Sequence, residues 1–335
     1  MKQVARRTFI KQTGIVFGGL LINPSIRSLA NTTMTGNNQY DVIIIGGSYA
    51  GLAAAMALGR ALRKVLVIDN GNPCNKQTPY SHNFLTRDGV PPTEIAMIAR
   101  EQVGRYPTVQ FLHQLATGAK QTENGFAVQV SSEEIFNARK LVFASGVKDI
   151  MPAVPGFSES WGISVLHCPY CHGYEVKHKK TGIYANGDNA FELAMLISNW
   201  THDLTVYTNG PSAFSDEQTE ILKKYKLPVV ETEIRSFEQQ NGYVRNILFV
   251  DGAQSPVDAI YARLPFEQHC SIPESLGCEL TEEGYIKINP AQKTTVAGVF
   301  ACGDNVTRMR TVANAVSLGT TTGMMVNKEL IEEDF

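Results

Sequence analysis

The sequence predicts an α/β protein of two Rossmann-like dinucleotide-binding domains, the second inserted in the first, and three observations carry the prediction. An unbroken β-branched run, Tyr40 to Ile45 (YDVIII), passes directly into GGSYAGLAAAMALGRA, giving strand, tight glycine turn and helix. Thr181 to Asn209 repeats the pattern as strand GIYAN, a turn, a helix from about Asn189 to Trp200 and strand LTVYT. Near the C-terminus TTVAGVFACGD, residues 294 to 304, reads as a short apolar strand ending in Gly303-Asp304, with a helix from about Arg310 to Leu330 behind it. At 335 residues with 43% apolar and 19% charged residues, the chain has the length for two cores and an ordinary globular balance.

The first thirty residues differ from the rest. MKQVARRTFIK is basic without an acid, GIVFGGLLI is an apolar run, and SIRSLA ends on small residues suited to cleavage. The run is about half of the ~20 residues that a membrane span requires, so no stable span is expected. Arg6-Arg7-Thr8-Phe9-Ile10-Lys11 resembles a twin-arginine signal, whose pathway exports proteins already folded around a cofactor. Residues 1–30 are therefore read as a removed signal, 31–39 as a polar linker, and the mature protein as exported and periplasmic. A formal charge of −2, with no stripe of Lys and Arg interleaved with aromatics, excludes nucleic acid as a partner.

In the first strand–turn–helix unit, Gly46 permits the turn and Gly51 lets the helix pack on the strand. Ser48 stands where the dinucleotide fingerprint has its second glycine, and Ala50 lies in the same turn. The helix N-terminus offers free amides to a pyrophosphate. The next strand, KVLVID, ends at Asp69, about twenty residues on, where a carboxylate accepts from a ribose 2′-hydroxyl. The unit at Thr181 to Asn209 would ordinarily hold NADPH, and two departures stand against NAD(P)H there. Ala185 replaces the first glycine of the turn, and no Lys or Arg occurs from Thr201 to Leu222 to meet an adenosine 2′-phosphate.

Six cysteines are too sparse to staple a chain of this size, and Cys270, Cys278 and Cys302 read as buried small hydrophobes. Cys74 has no evident partner and no assigned role. The stretch His167 to Glu175, HCPYCHGYE, is different. Its Cys-x-x-Cys-His spelling serves three chemistries: covalent haem attachment, half of a zinc site, or a dithiol that opens and closes as a disulfide. Haem fits poorly beside a Rossmann-type unit, and zinc lacks a second ligand pair nearby.

Over residues 40 to 330 the chain resembles the low-molecular-weight thioredoxin reductases, FAD-dependent pyridine nucleotide-disulfide oxidoreductases. The resemblance rests on the GGSYAG turn, on Ala144-Ser145-Gly146 after the strand KLVFA, on Gly303-Asp304, and on a Cys-x-x-Cys between two nucleotide-binding segments. It implies FAD held at Gly46, Ser48, Ala50, Gly51, Asp69, Ala144 and Gly146, with Asn83 against the flavin and Gly303 and Asp304 at the ribityl chain. Arg310, Thr311 and Val312 would open a helix whose positive end faces the flavin. It further implies an FAD-binding domain of residues 40–152 and 268–330, an insert of 153–267 carrying the dithiol, and a homodimer. By family order Cys171 faces the flavin and Cys168 the substrate.

In the reductases an Asp follows the second Cys; here His172 does, which keeps acid–base function while changing its charge. With His167 ahead of Cys168, the motif is closer to the flavin-dependent dithiol oxidases that close disulfides in natural products. Those pass electrons to dioxygen without NADPH. The expected activity is thus dithiol oxidation on a small dithiol or a thioredoxin-like protein, against two competitors: an NAD(P)H-dependent thioredoxin-disulfide reductase, and a flavin-binding or docking protein whose turnover is incidental.

Overall fold

The computed structural model describes residues 38–335, so the expected signal and nearly all of the linker lie outside the described residues. One sheet is built from β1 (Gln39–Ile45), β2 (Val65–Ile68), β3 (Val109–Leu112), β4 (Ala116–Thr122), β5 (Gly125–Val130) and β6 (Ile135–Phe143), in the order β3-β2-β1-β6-β5-β4. α1 (Tyr49–Arg60) and α2 (Pro92–Gly104) are its crossovers. The chain then leaves through β7 (Val147–Asp149), α3 (Phe157–Ser160), β8 (Val165–Leu166) and α4 (Pro169–His172).

A second unit follows: β9 (Thr181–Tyr184), α5 (Gly187–Ile197), β10 (Leu204–Tyr207), α6 (Asp216–Lys224) and β11 (Val229–Val230). The antiparallel strands β12 (Ile234–Gln240), β13 (Tyr243–Phe249) and β14 (Gln254–Pro256) come next, then β15 (Ala259–Ala262). Its parallel sheet runs β11-β10-β9-β15-β8. The chain returns through β16 (Phe266–Gln268), which pairs with β7, then α7 (Ile272–Ser275), and rejoins the first sheet with β17 (Val299–Ala301) before α8 (Val312–Asp334). β6 accommodates this return: residues 135–138 pair with β5, while Leu141, Val142 and Phe143 pair with β17. The protein is therefore two Rossmann-like units, the second inserted in the first.

The β-branched runs form these strands because both faces are covered. Val42 and Ile44 pack with α1, α2 and α8, while Ile43 and Ile45 pack with the opposite cluster around Phe126, Phe143 and Ile286. Val65 and Val67 against Leu66 and Ile68 divide in the same way. The helices differ a little from expectation. α5 begins at Gly187 rather than near Asn189, because the Asn186 side chain caps it, and α8 runs on to Asp334, where Arg63 and Arg139 hold the last turn. The antiparallel strands β4, β5 and β12 to β14 have no counterpart in the sequence reading. Among the described residues no helix is long and apolar enough to cross a membrane.

α8 lies against α1 at a distance only small residues allow. A Cβ on Gly319 would stand 2.1 Å from the Ala50 carbonyl oxygen, inside any permitted contact. This contact fixes where the N-termini of the two helices point.

Candidate active site

Both N-termini open into one cavity of about 950 Å³, within the range of sites that enclose organic cofactors. At α1, Gly46 adopts φ 106°, a left-handed turn in which any Cβ would meet the Ala144 carbonyl oxygen at 2.2 Å. Ser48 caps the helix through its backbone alone and no acid occupies the first turn, so the amides face the cavity uncompensated. Ser48 and Ala50 line the wall, while Gly51 is buried behind it. Asp69, just past β2, accepts from the Gly47 amide at 3.0 Å and the Gly71 amide at 3.2 Å, which fixes its carboxylate at the cavity edge.

Ala144 and Gly146 form the next stretch of wall, after β6. Gly303 and Asp304 follow β17, and Arg310, Thr311 and Val312 complete the side at α8, where Thr311 Oγ1 accepts from the Asn314 amide at 3.1 Å. Burial pushes the Asp304 carboxyl up to about 6, against the pull of Arg310. Cys74 faces the same space, its Sγ 3.9 Å from Asp304 Oδ2. Its thiol opens into the cavity yet is walled in by protein, and that enclosure, with Asp304 beside it, raises its pKa to about 11.

These residues fit FAD. A glycine turn and two helix N-termini free of first-turn acids suit a pyrophosphate. Asp69 and Asp304 suit hydroxyl groups, and among the described residues Ser145 Oγ and Arg310 Nε are buried without hydrogen-bond partners in the same wall. Asn83 belongs to the expected set but is placed apart from the rest of it. It lies outside the cavity lining, exposed at φ 58°, with its amide donating to Asp88 Oδ1 at 2.8 Å. Asn tolerates the left-handed conformation that this turn demands. The neighbour His82 lines the cavity instead.

The dithiol motif reaches the cavity from the inserted unit. Cys168 and Cys171 form a disulfide on the four-residue α4, with Cys168 at the N-cap, its Sγ accepting from the Cys171 amide at 3.2 Å. Cys171, His172 and His167 line the cavity; Cys168, 8% exposed, lies behind them. Thus the sulfur expected to face the flavin is the one that shares a wall with the α1 turn. Burial, followed by Arg310, holds the His167 imidazole down at about 4, and its Nε2 has no partner. Burial, followed by His82, holds His172 down at about 4 as well. Both rings are neutral at physiological pH, which leaves His172 able to accept a thiol proton. Among the described residues no group of three or more His, Cys, Asp or Glu side chains is arranged to hold a metal ion.

Three contributors escaped the sequence reading: His82, Asp149 and Trp161. Asp149, at the end of β7, takes a two-pronged contact from Arg310 and one hydrogen bond from Trp161 Nε1 at 3.3 Å. None carries a local signal, because each matters only through a partner far along the chain.

A family model described as pyridine nucleotide-disulphide oxidoreductase matches residues 40–319. Thioredoxin reductase tcpT of Claviceps purpurea is 31% identical over 90% of this chain and 97% of its own. Among solved structures, an oxidoreductase from Agrobacterium tumefaciens is 35% identical with a TM-score of 0.82, covering 88% of this chain and 99% of that one. A putative thioredoxin reductase, TrxB, from Bacillus anthracis is 28% identical with a TM-score of 0.84, covering 88% and 100%.

Proposed function

We propose that this chain, which belongs to the pyridine nucleotide-disulphide oxidoreductase family and is an FAD-dependent thiol–disulfide oxidoreductase of the thioredoxin reductase-like kind, works in the oxidising direction. A dithiol closes to a disulfide while the Cys168–Cys171 bond opens. FAD, when bound, supplies the acceptor for the two electrons, with oxygen or another oxidant beyond it.

The observation that carries this direction is the turn at Asn186. Its side-chain oxygen accepts from the Gly187 and Ala213 amides, each at 2.8 Å, and its Nδ2 donates to the Pro211 carbonyl at 2.9 Å. Asp188 adds a carboxylate to the first turn of α5. The amide cradle that would meet a nicotinamide dinucleotide's pyrophosphate is thus filled from within and carries the wrong charge, whereas α1 and α8 have no acid there. Arg263, the cation beside α5, is already engaged by Asn189 and Glu192. The export we propose from the N-terminal signal points the same way, since thiols outside the cytoplasm face an oxidising poise.

The chain's own residues supply the thiol chemistry. Neutral His172 takes the proton of a substrate thiol, and the thiolate attacks Cys168 Sγ. The S–S bond breaks and Cys171 leaves as a thiolate on the cavity wall. The second substrate thiol then displaces Cys168, which completes the substrate disulfide. Because Cys168 is 8% exposed, the proposal includes a movement of the inserted unit that uncovers it. Solution scattering with one unchanged profile in the oxidised and substrate-mixed states would overturn that movement. The substrate is a small dithiol or a thioredoxin-like protein, and the assembly a homodimer.

The test is anaerobic mixing of the mature protein with a small dithiol, NADPH or NADH while the visible spectrum is followed. Bleaching by dithiol alone, with the yellow form returning in air, is expected. Rapid bleaching by a nicotinamide would establish the second reading instead, a reductase, which the thioredoxin reductase names of several relatives favour.

A further inference from the structure

We infer that His82 is a positioning residue for the thiol chemistry, the second station of a proton path that runs from His172 to His82 and leaves to solvent beside Asp88 and Glu175. The inference rests on Cys168 and Cys171 as the exchanging pair and deepens that reading.

The two imidazoles come from different units. His82 belongs to the first and His172 to the inserted one, yet their rings stand edge to face with centroids 6.4 Å apart, and both line the cavity beside Cys171. The far side of His82 meets carboxylates: its Nδ1 is 3.5 Å from Glu175 Oε1 and 3.8 Å from Asp88 Oδ1. Among the described residues these, with His172, are the titratable groups set against it. The loop holding His82 is closed by the Ser81 amide on the Val90 carbonyl at 2.9 Å and the Gly89 amide on the Ser81 carbonyl at 2.8 Å. The Asn83 amide fixes the same Asp88 oxygen at 2.8 Å.

Two carboxylates on the Nδ1 side favour the tautomer with its proton there, which leaves the Nε2 lone pair as the basic site. Exposure rises along the path, from 18% at the His82 side chain to 39% at Glu175 and 72% at Asp88. The need for a second station comes from His172 itself. Its burial, and the imidazole beside it, disfavour the imidazolium that forms when it takes the thiol proton. A proton stranded there would oppose each new deprotonation. A water spanning the two rings, whose centroids stand 6.4 Å apart, passes it to His82, which moves the positive charge toward two carboxylates, and solvent then takes it. No other bond changes, and the electron pair stays on sulfur.

The experiment uses holoenzyme carrying His82→Gln or His82→Ala. Each is mixed anaerobically with dithiothreitol from about pH 3 to about pH 9, a window that spans the His172 limb at about 4, with and without imidazole, and the bleaching of the flavin is timed. Both variants should bleach roughly tenfold more slowly at neutral pH, toward the modest end of what a positioned acid–base group contributes. The acid limb belonging to His172 should move up in pH, since the imidazole that disfavours its charged form is gone, and imidazole should restore part of the rate to His82→Ala. Rates within about twofold of the parent, or slow rates without a shifted limb or imidazole rescue, would overturn the path. Dithiothreitol alone drives this half-reaction, so the result does not depend on whether oxygen or a nicotinamide completes turnover. A parent enzyme that dithiothreitol cannot bleach would overturn both this path and the dithiol reading beneath it.

Discussion

Asp149 and Arg310 meet in a two-pronged ion pair on the cavity wall, Nη1 to Oδ1 at 2.7 Å and Nη2 to Oδ2 at 3.0 Å, although 161 residues separate them. The side chains are 6% and 12% exposed, and Arg310 Nε points toward Asp304 at 3.7 Å. The pair thus ties the strand that leads into the inserted unit to the turn that opens α8.

Removing one member of such a pair leaves a buried charge without its partner, at a cost of about 3–5 kcal/mol. Asp149→Asn should therefore lower the unfolding free energy by that amount and weaken flavin retention, because Arg310 loses the anchor that holds it at the cavity. Chemical denaturation and the flavin content of the purified protein measure the two effects. A variant with parental stability would mean that Arg310 finds a substitute partner in Asp304.

Cys168→Ser should reduce dithiol turnover to the uncatalysed level while leaving the fold and the flavin in place, since serine fills nearly the same volume at the α4 N-cap. Cys171→Ser should do likewise, and its remaining Cys168 thiolate should open an added linear disulfide by exchange, keeping one half as a mixed disulfide visible as a mass increase while the other half leaves as a thiol. Full turnover in either variant would eliminate the dithiol mechanism.

His172→Ala should slow flavin bleaching by dithiols by roughly 10²- to 10⁴-fold, the usual contribution of a positioned base. In the parent, burial and His82 keep His172 neutral down to about 4. The working form is the unprotonated one, so the rate stays level as pH falls through the ordinary histidine range near 6.5 and drops only toward about 4. Stopped-flow profiles test this; a limb centred on the ordinary histidine value would show that His172 is not the base.

Gly319→Leu should force α8 away from α1, because even a Cβ lies 2.1 Å from the Ala50 carbonyl oxygen. Overpacking of this kind costs about 1–3 kcal/mol or more. Separating the two helix N-termini should also release the flavin, which the visible spectrum of the purified variant reports. Retained flavin with unchanged thermal stability would show that the contact does not set the cavity.

Much of this molecule was legible in the chain. YDVIII, KVLVID and KLVFA announce strands because a strand buried on both faces must be apolar throughout, and the glycine turns announce themselves because no other residue fits them. Asp69 was expected from its distance beyond the first turn, and Gly303 and Asp304 from the family resemblance of TTVAGVFACGD. Asn83 carries an ambiguous signal for the same local reason: an Asn in a left-handed turn looks alike whether or not it touches a ligand.

By itself the sequence determined the two Rossmann-like units, the glycine turns and the dithiol between them, since hydrophobic period, backbone freedom and motif spacing are properties of neighbours along the chain. Only the tertiary structure decided that His82 stands beside His172, that Arg310 is tied to Asp149, and that Asn186 fills the turn of α5 from within. Those relationships depend on the register of β17 on β6, the closeness of α8 to α1 and the seating of the inserted unit. Each is fixed by packing across the whole fold, which no local stretch of sequence encodes.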